Sequence, residues 1–314
     1  MFIKKLTDIT KEDRCSAGGK GAFLGEMVLN GLPIPPGFVI LAEAFEEFFE
    51  RSGLRPRFDR ALQNAVGLDI ANLDAVAQNL EDLMIAAEIP APLAREIELQ
   101  FQELDAEFVA VRSSATAEDA ACNTWAGQLE TYLNTDKSIL LENVKRCWAS
   151  LYSARAICYR IDSKEICEKI AVAVVVQKMV ESEISGVAFS VHPVTENPNN
   201  IVIEAGIGLG EAVVSGTITP DNYVIEKEPL KIVEKFTSKQ NQAIYRLSNG
   251  QTGWQAVPKH QKNQQKLNDA QIMELSRLVI KIEKQFGFPC DLEWALFNNA
   301  FFILQCRPIT TLSG

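Results

Sequence analysis

The chain has 314 residues, 47% hydrophobic and 23% charged, which is ordinary for a globular protein and enough for one large or two ordinary domains with a sizeable core. Its net charge of −10 excludes a broad nucleic-acid surface, so any anion site must be a local basic cluster. Seven scattered cysteines without paired metal spacing argue against a disulfide framework. With no apolar run of about 18 residues and no signal-peptide core, the expectation is a cytoplasmic protein without membrane or nucleic-acid partners.

In chain order, residues 3–10 read as a short strand or an extended arm. Ser16-Ala-Gly-Gly-Lys-Gly-Ala-Phe-Leu-Gly-Glu-Met27 is a glycine-rich turn with a lysine, followed by an apolar, helix-like run. Glycines let backbone N–H groups approach a phosphate, and Lys20 supplies charge. The stretch is not a P-loop, because Gly21 stands where Ser or Thr is required. Asn30-Gly31 and Pro33-Ile-Pro-Pro-Gly37 break the chain before a short apolar strand, Phe38 to Leu41. From Glu43 to about Asp105 the period becomes helical, with Phe45, Phe48 and Phe49 on one stripe and Leu73, Val76, Leu80 and Leu83 on another. This predicts a helical insertion of structural character.

Phe108 to Arg112 is strand-like and delivers Arg112 to Ser113-Ser-Ala-Thr-Ala-Glu-Asp119. Two readings are open for Ser113 and Ser114: a phosphate-facing loop, or a capping and turn role. Trp125-Ala-Gly-Gln-Leu-Glu-Thr-Tyr132 follows, then a helix near 136–160 carrying Trp148, Leu151 and Tyr152. Ala171 to Val176 is a continuous apolar run, as expected for a strand buried on both faces. Ser185 to Val191 and Asn200 to Ala205 read as further strands. Gly206-Ile-Gly-Leu-Gly-Glu211 misses the dinucleotide fingerprint, with Glu211 where a glycine is needed. Residues 228–265 read as polar hairpins and loop, and Asp269 to Phe286 as an amphipathic helix. The alternation predicts a mixed α and β fold.

The chain closes on a hairpin within Asp291 to Pro308, broken at Asn298-Asn299. A three-residue loop, Asn298 to Ala300, opposes Phe297 to Phe301, Glu293 to Gln305 and Asp291 to Arg307. Asp291, Glu293, Gln305 and Arg307 then share one face, and Leu292, Trp294, Leu296, Phe302, Leu304 and Cys306 the other. A two-residue loop would split Glu293 from Gln305. Two oxygen donors and a guanidinium on one face suit a hard divalent cation bridging phosphates, with Arg307 as a planar clamp. The plainer reading is an edge hairpin with a solvated face.

Taken together, the chain resembles the N-terminal nucleotide-binding domain of the phosphoenolpyruvate synthase, pyruvate phosphate dikinase and rifampin phosphotransferase family. The resemblance rests on Gly18 to Met27, Pro35-Pro-Gly-Phe38, Val111 to Asp119, Ala126 to Thr131, Ser185 to Ser190, Gly208-Leu-Gly-Glu211, Asp291-Leu-Glu-Trp294 and Leu304-Gln-Cys-Arg-Pro308, in the family's order. It implies an α+β ATP-grasp fold of two subdomains, 1–180 with the helical insertion and 181–314 with the metal site. It further implies that Lys20 and Arg112 bind phosphate, Glu293 and Gln305 hold Mg2+, and Arg307 meets the terminal phosphates. Backbone groups from Gln177 through Met179 to Val180 match the strand that meets adenine.

The family's chemistry is attack on ATP by a histidine of a separate mobile domain, splitting ATP to AMP with phosphate or pyrophosphate. That domain follows the position of Arg307 in the family, whereas this sequence runs only to Gly314. Neither His192 nor His260 matches the carrier. The expectation is therefore a domain that binds and activates Mg-ATP and takes its histidine in trans or from a longer chain. A nucleotide sensor without chemistry and a direct ATP-grasp ligase are the alternatives.

Overall fold

A computed structural model of the chain describes residues 2–116, 130–163 and 170–309. Residues 117–119 and 125–129 of the two motifs expected after Arg112 lie outside the described residues. The fold is α+β, and the chain divides into two units: Met1–Leu29 with Pro36–Met179, and Asn30–Pro35 with Val180–Gly314.

The first unit runs β1 (Ile3–Lys5), α1 (Arg14–Leu29), β2 (Gly37–Ile40), α2 (Ala42–Ser52), α3 (Arg55–Ala65), α4 (Ile70–Ala86), α5 (Ala91–Glu103) and β3 (Val109–Ala115). It continues with β4 (Thr131–Thr135), α6 (Leu140–Ala149), α7 (Ala154–Asp162) and β5 (Val172–Lys178). The single helix expected near 136–160 is thus two. Ser153 separates them by capping α7, its hydroxyl accepting the Ala156 N–H at 3.2 Å. The described strands form an antiparallel sheet in the order β1-β2-β5-β3-β4. Central β5 is buried from Val172 to Gln177, which explains its unbroken apolar run.

One face of this sheet carries Phe38, Ile40, Val109, Val111, Val174 and Val176 against the helices. Phe45, Phe48 and Phe49 fall on one stripe of α2, with Phe48 5.1 Å from Trp148 and Phe49 6.1 Å from Tyr152 between ring centroids. Losing one such ring costs about 3–5 kcal/mol, so the helical insertion is the core of its unit. The opposite face, with Ala110, Arg112, Ser114 and Gln177, packs against α1.

The second unit contains β6 (Ile184–Phe189), β7 (Asn200–Ile207), α8 (Glu211–Val214), β8 (Asp221–Glu226), β9 (Lys231–Phe236), β10 (Gln242–Arg246), β11 (Thr252–Ala256), α9 (Asp269–Phe286), β12 (Cys290–Phe297) and β13 (Ala300–Pro308). Its main sheet is antiparallel, in the order β13-β12-β6-β7-β8-β9, and β10-β11 form a separate ribbon. Asn30–Pro35 belongs here because the Pro33 carbonyl accepts the Ile303 N–H at 2.8 Å. Asn268 and Gln271 form a capping box that starts α9, and Gly287, at φ 74, ends it. Helix α9 buries Ile272, Leu275, Val279 and Ile282 on the sheet face that carries Leu292 and Trp294. There Glu283 accepts the Ser190 hydroxyl at 2.9 Å.

A buried ion pair ties the polar 238–267 stretch to β8. Lys266 Nζ lies 2.8 Å from Asp221 Oδ1, with both side chains essentially excluded from solvent. The Tyr223 hydroxyl and the backbone N–H groups of Ser238 and Lys266 complete the shell of that carboxylate.

Candidate functional site

The closing hairpin turns through two residues, Asn298 and Asn299, not the three expected. Both have positive φ, 49° and 58°, as a tight two-residue hairpin turn demands, and asparagine tolerates that region better than most residues. Phe297 therefore pairs with Ala300, and an unbroken ladder would have set Glu293 against Leu304. A β-bulge prevents this. Trp294 pairs with Ile303, but the next residue, Glu293, pairs with Gln305, leaving Leu304 as the extra residue. Asp291 then faces Arg307, as expected.

The bulge also reassigns the apolar face. Phe301, Ile303 and Cys306 are the buried apolar residues of β13, whereas Phe302 and Leu304, expected there, are only partly buried. Phe301 packs against Trp294 with centroids 5.7 Å apart, which confirms their common side. On the polar face, pairing carries one row across the sheet: Gln305, Glu293, Val187, Glu204 and Asn222.

Asp291 receives Arg307 through Nε at 2.7 Å and Nη2 at 2.6 Å, both on Oδ2. Burial pushes the Asp291 carboxyl above the usual range; Arg307 pulls it back, and Glu293 adds to the rise. Glu204 is also raised, first by burial and then by the charge of Asp291. Asp291 was placed on this face by sequence but given no role; the structure makes it the anchor of Arg307. Glu204 was missed, since its membership of the row depends on three successive strand pairings.

In the first unit, Gly18 breaks α1, and Lys20 lies in the first turn after the break. Arg112 is buried on β3 across from Val175, and Gln177 is buried on β5 across from Ala110. Strand alternation puts Arg112 and Gln177 on the face that packs against α1, so Lys20, Arg112 and Gln177 are gathered on one side of this sheet. Of the two readings for Ser113 and Ser114, their bonds fit the capping and turn role. Ser113 Oγ bonds the Glu130 carbonyl at 2.9 Å, and Ser114 Oγ bonds the Ala17 carbonyl at 2.9 Å, so both hydroxyls serve the fold.

At the end of β5, the Met179 N–H donates to the Phe108 carbonyl at 3.1 Å. The Val180 carbonyl accepts the Ser182 N–H at 2.8 Å. The glycine-rich 206–211 stretch has most of its early donors engaged. The N–H groups of Ile207, Gly208 and Leu209 go to Gln240 Oε1, the Glu183 carbonyl and the Ile244 carbonyl. At Gly208, φ 89, an added Cβ would lie 2.5 Å from the Ile244 oxygen, so its glycine serves close packing. His192 Nδ1 accepts the N–H groups of Val194 and Thr195, both at 3.2 Å, and so caps its own loop.

Over residues 15–314 the sequence matches the family model described as "Pyruvate phosphate dikinase, AMP/ATP-binding domain". The chain belongs to this family. It is 41% identical to a probable phosphoenolpyruvate synthase of Methanocaldococcus jannaschii, over 99% of this chain and 27% of that protein. A probable phosphoenolpyruvate synthase of Methanothermobacter thermautotrophicus is 39% identical, with 99% and 46% covered. A rifampicin phosphotransferase of Bacillus cereus is 36% identical, with 99% and 36% covered. The chain thus spans between about a quarter and a half of the length of these relatives. As a member of the dikinase AMP/ATP-binding family it has the ATP-grasp type of α+β fold and binds adenine nucleotide.

The dikinase family implies a divalent metal, and the donor set suits one. Among the described residues no group of three or more His, Cys, Asp or Glu side chains is arranged to hold an ion. Glu293 and Gln305 instead offer two oxygen donors directly across neighbouring strands. Two protein oxygens fit Mg2+, which keeps waters and takes its other ligands from phosphates. No described helix is long and apolar enough to cross a membrane.

Proposed function

We propose that this chain binds Mg-ATP and holds it for attack by a histidine on another domain or subunit, as the nucleotide part of a phosphoenolpyruvate-synthase-like dikinase. The observation that carries this reading is the pairing of Glu293 with Gln305 beside an Arg307 already oriented by Asp291. Glu293 and Gln305 would hold Mg2+, which when bound withdraws charge from the phosphates and orders their oxygens. Lys20 and Arg112 neutralise the polyphosphate. Arg307 presents its planar guanidinium to the terminal phosphates, where negative charge must be offset for a nucleophile to approach. Gln177, Met179 and Val180 are assigned to the adenine end, Met179 through its carbonyl or side chain because its N–H is engaged.

The carrier is assigned elsewhere because the nucleophile must reach the phosphates in line and then move to a second site. His192, whose ring caps its own loop, does not fit that task. Incubation with ATP labelled at the β or γ phosphorus is expected to leave this chain unlabelled. An added histidine domain from its native system should become labelled, with AMP appearing only then. Stoichiometric, acid-labile label on this chain that disappears in His192→Ala or His260→Ala would overturn the reading.

A further inference from the structure

Gly18 divides helix α1 at φ 70 and ψ 172, a conformation essentially reserved for glycine. Counted from this break, Gly18 is the N-cap of the segment that follows, and Gly19, Lys20 and Gly21 are its first three residues. An N-cap residue ordinarily lends a side-chain oxygen to the N–H of the second or third residue. Gly18 has none to lend. The oxygen comes from β3 instead: Ser114 Oγ accepts the Gly21 N–H at 3.2 Å across 93 residues of sequence. The same hydroxyl donates to the Ala17 carbonyl at 2.9 Å. A Cβ built on Gly18 would lie 2.2 Å from Ser114 Oγ and 2.4 Å from the Ser114 carbonyl oxygen. Ser114 therefore occupies the space a local cap would need, and Gly18 is the residue that leaves it open.

The turn so held, Gly18-Gly-Lys-Gly21, is intrinsically a weakly restrained helix start, since three of its four residues are glycine. Lys20 lies between the two residues that Ser114 grips, Ala17 and Gly21. Arg112 lies two positions before Ser114 on the same strand, hence on the same face. We propose that Ser114 is a positioning residue: by capping the Lys20 turn from the strand that carries Arg112, it sets the spacing of the two cations that meet the polyphosphate. This rests on the nucleotide reading above.

The test is a double-mutant cycle followed by titration calorimetry with Mg-ATP and, separately, with adenosine. Ser114→Ala is expected to weaken Mg-ATP binding about three- to thirtyfold, the scale of a lost helix cap, and to leave adenosine binding unchanged. In a Lys20→Ala background the same substitution should cost less than twofold, because its effect runs through Lys20. An equal loss in both backgrounds, or a parallel loss for adenosine, would mean a purely structural role and overturn the inference. Should Ser114→Ala not fold, Ser114→Cys keeps a weaker acceptor of similar shape and should show a smaller loss with the same dependence on Lys20. Failure of both variants to fold also overturns it. Absence of Mg-ATP binding in the unaltered protein would sink the nucleotide reading itself, whereas normal binding with an inert Ser114→Ala would sink only this inference.

Discussion

Glu293 on β12 faces Gln305 on β13 because Leu304 bulges from the ladder one step before the pair. The two-residue turn sets one register, and the bulge shifts it by one residue, so that two oxygen donors meet. Glu293→Ala and Gln305→Ala are each expected to weaken Mg-dependent ATP binding at least about tenfold, some 1.4 kcal/mol. Calorimetry showing affinity within twofold of the unaltered protein in both variants would remove them as metal ligands.

Deleting Leu304 gives a sharper check. Without that residue the regular ladder from the Asn298-Asn299 turn brings Gln305 opposite Glu293 with no bulge. Mg-ATP affinity should fall less than in Gln305→Ala. A loss as large as that of Gln305→Ala would mean that the local twist of the bulge, and not the pairing, makes the site.

Lys20, Arg112 and Arg307 belong to a chain of net charge −10, and under the proposed function each would meet the phosphates of ATP, whose charge would offset theirs. ATP at about 100 times its dissociation constant should stabilise the fold by about 2.7 kcal/mol, seen as a rise in melting temperature. The triple variant Lys20→Ala, Arg112→Ala, Arg307→Ala should show no rise. A full ATP-dependent rise in that variant would count against all three assignments.

Glu204 supplies a pH prediction. Burial, and then the charge of Asp291, raise its carboxyl in the folded chain. A carboxyl raised on folding favours the fold below its unfolded pKa, and this advantage is lost as pH rises through the folded value. Glu204→Gln should therefore melt higher than the unaltered protein at pH 7, with the gap closing below about pH 4, where both forms are uncharged. A gap that stays constant across this range would exclude titration of Glu204 as its cause.

Asp221 and Lys266 form a buried pair with every carboxylate oxygen engaged. Asp221→Ala leaves an ammonium buried without its counter-charge and should cost about 3–5 kcal/mol in urea denaturation. A cost below about 1 kcal/mol would mean that water or a rearranged Ser238 compensates.

The sequence by itself determined what local spacing determines. Helical stripes such as Phe45, Phe48 and Phe49, the doubly buried β5, the amphipathic helix from Asp269 to Phe286 and the polar alternation of Asp291 and Glu293 follow from side-chain period and polarity within a few residues. Lys20, Arg112, Glu293, Gln305 and Arg307 were singled out by residue type and by the resemblance of their motifs to those of the dikinase family, which implied phosphate and metal contacts. Tertiary structure decided which groups share a surface. The Glu293–Gln305 and Asp291–Arg307 pairs were expected correctly from a loop of the wrong length, but Phe297–Phe301 was not; only the ladder shows the bulge that joins a two-residue turn to those two pairs. Ser114 read equally as part of a phosphate-facing loop or as a cap, and only the structure shows its hydroxyl capping a helix 93 residues earlier; Glu204 enters the Glu293 row only through pairings of separate strands. Both depend on contacts between distant segments, where the packing of the whole unit, and not the residue's own neighbours, sets what its oxygen meets.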